Sequence, residues 1–129
     1  MAAIRNEGRL LWILQSLLTF LVERDERDLS IRQLSVFLIC DQCDAPQTVR
    51  GLAAQLKIPK ASVTRALDRL EQLQLAYREV EPSDRRSVTV QRTTAGTALM
   101  RKIEAMLSDL ASGELTALER MAGVTRRAA

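Results

Sequence analysis

Apolar positions recur along this chain with two different periods, and the change of period marks its parts. Between about residues 8 and 23, Leu10, Leu14, Leu17 and Leu21 follow i, i+4, i+7, i+11 spacing, which predicts an amphipathic helix. Leu11, Leu18 and Val22 add a second apolar stripe beside the first. A helix apolar over so much of its circumference needs cover on two sides. Ser30 then predicts an N-cap for a helix over about 31–43, with Leu34, Phe37 and Leu38 inward and Asp44-Ala45-Pro46 as its stop.

A shorter rhythm follows. Thr48 predicts the cap of a short helix carrying Val49, Leu52, Ala53 and Leu56 at i, i+3, i+4, i+7. Lys57-Ile58-Pro59 breaks it, and a second helix runs over 60–73 with Val63, Leu67 and Leu70 inward. Two short amphipathic helices across a tight turn make a helix-turn-helix pattern. The period then falls to two: Val80, Val88 and Val90 alternate with polar residues in Ala76–Glu81 and Ser87–Arg92. These predict a hairpin whose tip, 82–87, holds Pro82, Ser83, Asp84, Arg85, Arg86 and Ser87.

Thr93 or Thr94 caps a long helix with Leu99, Ile103, Met106 and Leu110 at heptad-like spacing. Gly113 breaks it and leaves a short final helix through about Met121. The sum is a mainly α fold with a small β-hairpin wing, the order of a winged helix-turn-helix with added helices at both ends. The expectation is a single domain over 1–129, with 30–93 as the winged lobe. Apolar stripes too extensive for one small domain to cover mark an interface. Helices 8–28 and 94–129 are therefore predicted to pair two copies as a homodimer.

Composition narrows the class. With 47% hydrophobic and 27% charged residues the chain is a folded globular one, and with only 3% aromatic the core falls to Leu, Val, Ile and Ala. Net charge is only +3, yet residues 48–92 carry nine Lys or Arg against five acids. A basic middle between near-neutral ends suits a polyanion. The apolar run 10–22 is 13 residues long and includes Gln15, Ser16 and Thr19, short of the roughly 20 a membrane span needs. Acidic Glu23-Arg24-Asp25-Glu26 follows it where a cleavage site would stand, so the expectation is a cytoplasmic protein with no membrane partner.

Projected at 100° per residue, the 60–73 helix turns Val63, Ala66, Leu67, Leu70 and Leu73 one way. Ala61, Arg65, Asp68 and Gln72 lie opposite, with Thr64 and Arg69 beside them. Ala61 and Ser62 are small enough to let the helix start approach a surface. Arg65 is placed to pair its planar fork with guanine O6 and N7, while Lys60 and Arg69 suit phosphates. On this reading the DNA-binding residues of the helix are Lys60, Ala61, Ser62, Thr64, Arg65 and Arg69.

The stretch LAAQLKIPKASVTRALDRLEQLQLAYREVEPSDRRSVTVQRTTAG, residues 52–96, resembles the MarR family of winged-helix transcriptional regulators. The likeness rests on Leu52-Ala53…Leu56, on Ser62-Val63-Thr64-Arg65…Leu67-Asp68-Arg69-Leu70-Glu71, on Asp84-Arg85-Arg86 and on Thr93…Gly96. Leu29-Ser30…Gln33…Phe37 fits upstream. Gln74-Leu75 stands where the family has Gly-Leu, and Arg92 where a leucine precedes Thr93. The resemblance implies a recognition helix in the major groove and a wing in the minor groove, with Arg85 the inserted side chain and Arg86 at phosphate or held by Asp84. It also implies a small-molecule effector, whose pocket would draw on Trp12, Phe20 and Phe37 unless these serve the core.

Other chemistry is thinly supplied. Cys40-Asp41-Gln42-Cys43 spells C-x-x-C, but zinc wants about four ligands and the chain has no histidine and no third cysteine. Without histidine the Ser-His-Asp and Cys-His arrangements are excluded, and no glycine-rich phosphate loop is present. The sequence therefore predicts no enzyme, no metal and no cofactor, but a regulator binding double-stranded DNA. The alternatives are a winged helix that grips an acidic protein partner and a thiol sensor built on Cys40 and Cys43.

Overall fold

The computed structural model describes residues 6–24 and 27–113. Five helices and three short strands run in the order α1 (Asn6–Arg24), α2 (Ile31–Gln42), β1 (Gln47–Thr48), α3 (Val49–Leu56), α4 (Lys60–Gln72), β2 (Ala76–Glu81), β3 (Asp84–Arg92), α5 (Thr94–Ser112). They divide into two compact units. One spans Leu29–Met100; the other joins α1 to the part of α5 from Arg101 onward.

Local chemistry sets the boundaries of the first unit. Ser30 and Gln33 form a reciprocal capping box at the start of α2. Thr48 Oγ1 accepts from the Gly51 N–H at 2.9 Å and starts α3. Lys57 turns left-handed, φ 55°, and ends it. Helix α4 closes in a Schellman motif: the Leu75 N–H bonds the Leu70 carbonyl and the Gln74 N–H the Glu71 carbonyl, both at 2.9 Å. Gln74 takes the left-handed residue that this motif demands, φ 58°. Thr93 Oγ1 donates to the Gln74 carbonyl at 2.6 Å and accepts from the Gly96 N–H at 2.9 Å, so one hydroxyl joins the end of α4 to the start of α5.

The core of this unit is built on Val36, Leu52, Val63, Leu67, Leu70 and Leu75. On α2 the innermost residues are Val36 and Phe37; Leu34 and Leu38, expected inward, are only half-buried. The sheet has order β1-β3-β2, all antiparallel. Strand β1 has no counterpart in the sequence reading, since two residues show no period. Strand β3 also begins earlier than Ser87, at Asp84, so the turn is only Pro82-Ser83.

In the second unit Met106 and Leu110 are buried against Trp12, Ile13, Leu17 and Phe20 of α1. All four stripe residues of α5, Leu99, Ile103, Met106 and Leu110, are covered within one chain. That corrects the expectation that the α5 stripe lies open for a partner. The uncovered apolar surface is on α1, at Leu10, Leu11, Leu14, Leu18 and Val22. Gly113, φ 82°, ends α5 as expected, and the final helix through Met121 falls outside the described residues. No described helix is long and apolar enough to cross a membrane.

Candidate nucleic-acid interface

Helix α4 presents its charged face because its other face is consumed by the core. Ser62, Val63, Ala66, Leu67 and Leu70 are buried, while Lys60, Ala61, Thr64, Arg65 and Asp68 are exposed. Six of the eight residues chosen from sequence are open to solvent: Lys60, Ala61, Thr64, Arg65, Arg85 and Arg86. Arg69 is half-buried and gives its Nη1 to Gln72 Oε1 at 3.3 Å. Ser62 is off the open face; its Oγ accepts from Arg65 Nη2 at 3.4 Å and steadies that arginine. No side chain caps the start of α4 at Pro59; the Ser62 N–H bonds the Pro59 carbonyl at 2.9 Å, and the N–H groups of Lys60 and Ala61 stand at the positive end of the helix dipole.

The wing owes its form to a break in pairing. Val80 pairs with Val88, and the next residue, Glu81, pairs with Asp84. Arg85, Arg86 and Ser87 therefore have no partner across the hairpin. A bulge of this kind re-aims side chains, and here it frees both guanidinium groups from the ladder. Asp84 Oδ1 accepts the backbone N–H of Arg86 at 3.1 Å. The expected hold of Asp84 on Arg86 thus acts on its main chain.

Between the wing, α4 and the start of α3 lies a groove of about 670 Å³. Arg50, Lys60, Arg78 and Arg86 line it, with the Thr48, Thr64 and Ser87 side chains as further polar groups and Asp84 as its acid. Arg50 and Arg78 were not among the sequence-derived site residues. Arg50 follows the cap of α3 and is assigned a face only once α3 is docked. Arg78 bonds residues seven and ten positions back, a reach that no helical or strand period encodes.

Arg78 joins β2 to α4. Its backbone N–H donates to Glu71 Oε1 at 2.7 Å, its Nε to the same oxygen at 3.3 Å and its Nη2 to Glu71 Oε2 at 2.8 Å. Nη2 also bonds Asp68 Oδ1. Hydrogen bonds from the Arg78 side chain hold the Glu71 carboxyl below its ordinary value of 4.5 against a smaller opposing effect of burial. The same bonds raise Arg78.

The remaining candidates carry less. Trp12 and Phe20 pack on Met106 and Leu110, and Phe37 is buried in the winged lobe, so all three serve cores. Cys40 and Cys43 are free thiols. Burial pushes Cys40 up to about 12, Cys43 and Asp41 add to the rise, and Arg92 opposes it. At neutral pH that thiol is protonated, and the thiolate is the reactive form. Arg92 Nη1 bonds Asp41 Oδ1 at 3.3 Å, which gives this arginine a partner where the family has an apolar side chain. Among the described residues no cluster of three or more acids or cysteines could hold a metal ion.

A helix-turn-helix whose second helix is exposed beside a basic β-hairpin defines a winged-helix protein. Residues 29–88 match the model of the MarR family. The winged lobe is thus similar to the MarR family, over somewhat less than half of the chain. Solved structures agree in fold. A MarR-like transcriptional regulator from Thermotoga maritima is 26% identical, with a TM-score of 0.67 over 90% of this chain and 82% of that one. MarR itself is 27% identical, with a TM-score of 0.57 over 91% and 88%. MepR of S. aureus, solved as a complex with DNA, is 19% identical, with a TM-score of 0.70 over 89% and 91%. None of the curated proteins matches the sequence.

Proposed function

We propose that the chain is a homodimeric, sequence-specific transcriptional regulator that binds duplex DNA at an inverted repeat. Helix α4 enters the major groove with Arg65 at a base edge. The wing follows the adjacent minor groove with Arg85 inserted, since a narrow minor groove concentrates negative potential and attracts arginine. Lys60, Arg50 and Arg86 meet the phosphates between them. One observation carries this reading: an exposed helix start with no side-chain cap and the unpaired wing residue Arg86 border the same basic groove. That MepR was solved with DNA supports it by analogy of fold. Pairing of two copies is supported by the open leucine face of α1.

The test is selection of duplexes from a random library by the full chain, followed by anisotropy titrations at several salt concentrations. Affinity should fall steeply with salt, and the selected sites should share a two-fold symmetric motif. Absence of a common motif, with weak binding to every duplex, would remove the sequence-specific reading.

A further inference from the structure

Helix α4 carries three cations, Lys60, Arg65 and Arg69, but also two acids, Asp68 and Glu71. An acid on a helix that must lie against phosphates is a liability, because like charges brought together cost several kcal/mol. Both acids are open enough to be felt: the Asp68 side chain is 51% exposed and that of Glu71 33%. Yet both are occupied by one guanidinium from outside the helix. Resting on the DNA-binding reading above, we infer that Arg78 masks these two acids, and that this masking lets α4 approach the phosphate backbone.

Geometry separates masking from direct contact. A guanidinium has five N–H donors. Arg78 commits its Nε–H and both Nη2 hydrogens to Asp68 and Glu71, and its side chain is only 25% exposed. Arg65, Arg85 and Arg86 are exposed, and their guanidinium groups bond no acid among the described residues. Arg78 lines the basic groove from its wall, while Lys60, Arg50 and Arg86 supply the unneutralised charge. The tie between β2 and α4 does not depend on the guanidinium alone, because the Arg78 backbone N–H also bonds Glu71. A Met at 78 keeps that bond, and so does a Gln at 71.

The experiment is a rescue. The full chain, Arg78→Met, and the triple variant Arg78→Met/Asp68→Asn/Glu71→Gln are titrated against a duplex selected by the wild type, with thermal unfolding followed in parallel. Masking predicts that Arg78→Met weakens binding about tenfold or more, through two uncovered acids near phosphate. The triple variant should return to within about threefold of wild type, since neutral side chains need no mask. A triple variant as weak as Arg78→Met makes Arg78 a phosphate contact and overturns the inference; so does an Arg78→Met variant that binds like wild type. If Arg78→Met fails to fold, Asp68→Asn/Glu71→Gln with Arg78 intact carries the test. It should bind random duplex about threefold tighter or more, because a cation is released to the groove. Unchanged or weaker binding by it overturns masking. A folded wild type that binds no duplex at all refutes the DNA-binding reading itself, and the inference with it.

Discussion

Gln74 holds φ 58° at the residue that closes the Schellman motif of α4, a conformation that costs an L side chain about 1–2 kcal/mol. Its N–H and carbonyl are both bonded there, to Glu71 and Thr93, so the backbone has no freedom to relax. Glycine carries no such penalty but loses more entropy on folding. Gln74→Gly should therefore stabilise the protein by about 0.5–1 kcal/mol, and Gln74→Ala should change little, as read by urea unfolding. Gly96 is the opposite case. A Cβ there would run into the Leu75 carbonyl oxygen, which is fixed by the same motif. Gly96→Ala should cost about 1–3 kcal/mol in the same measurement. A glycine is thus required at 96, where the start of α5 meets the end of α4, and is merely preferred at 74.

At the scale of elements, the wing is an appendage whose proposed contact residues do not hold the fold. Arg85 is exposed and off the ladder, so Arg85→Ala should leave thermal stability within about 0.5 kcal/mol. It should weaken specific binding and relax the preference for A·T pairs flanking the major-groove contacts. Arg65→Ala should cost about 1–3 kcal/mol on the selected duplex and much less on random DNA. Equal losses on both would assign Arg65 to phosphate. The placing of Arg65 was legible in the sequence because a strong period surrounds it: α3 and α4 announce their inward faces, and what remains on α4 is the exposed face. Where no period exists the sequence was mute. Two-residue β1 has none, and Arg85-Arg86-Ser87 bulge out of their strand instead of alternating. Val36 replaced Leu34 and Leu38 at the centre because docking chooses among neighbouring apolar residues on one helix. Arg50 and Arg78 gained their places only through tertiary contacts.

For the whole molecule, the two apolar terminal helices turn out to differ in what they have left to offer. Within one chain, Trp12, Ile13, Leu17 and Phe20 already cover Met106 and Leu110, so the α5 stripe is spent. The opposite side of α1 is not: Leu11, Leu14, Leu18 and Val22 border a shallow apolar depression of about 440 Å³. A leucine face of that kind on a monomer marks an interface, and on the proposed reading its occupant is a second copy. Two charge substitutions then have different consequences. Ile103 is 2% exposed, so Ile103→Glu buries a carboxylate without a partner and should unfold the chain, measured as loss of cooperative melting. Leu14 is 50% exposed, so Leu14→Glu should keep the fold, as circular dichroism reports, and split the dimer. Half-sites on an inverted repeat lie about one helical turn, roughly 10 bp, apart, and only a two-fold pair of α4 helices spans them. Leu14→Glu should accordingly lose specific affinity although it lies far along the chain from every proposed DNA contact, while retaining weak, salt-sensitive binding to random duplex. Light scattering that reports a wild-type monomer would overturn the dimer, and a folded Leu14→Glu variant that still dimerises would place its interface elsewhere.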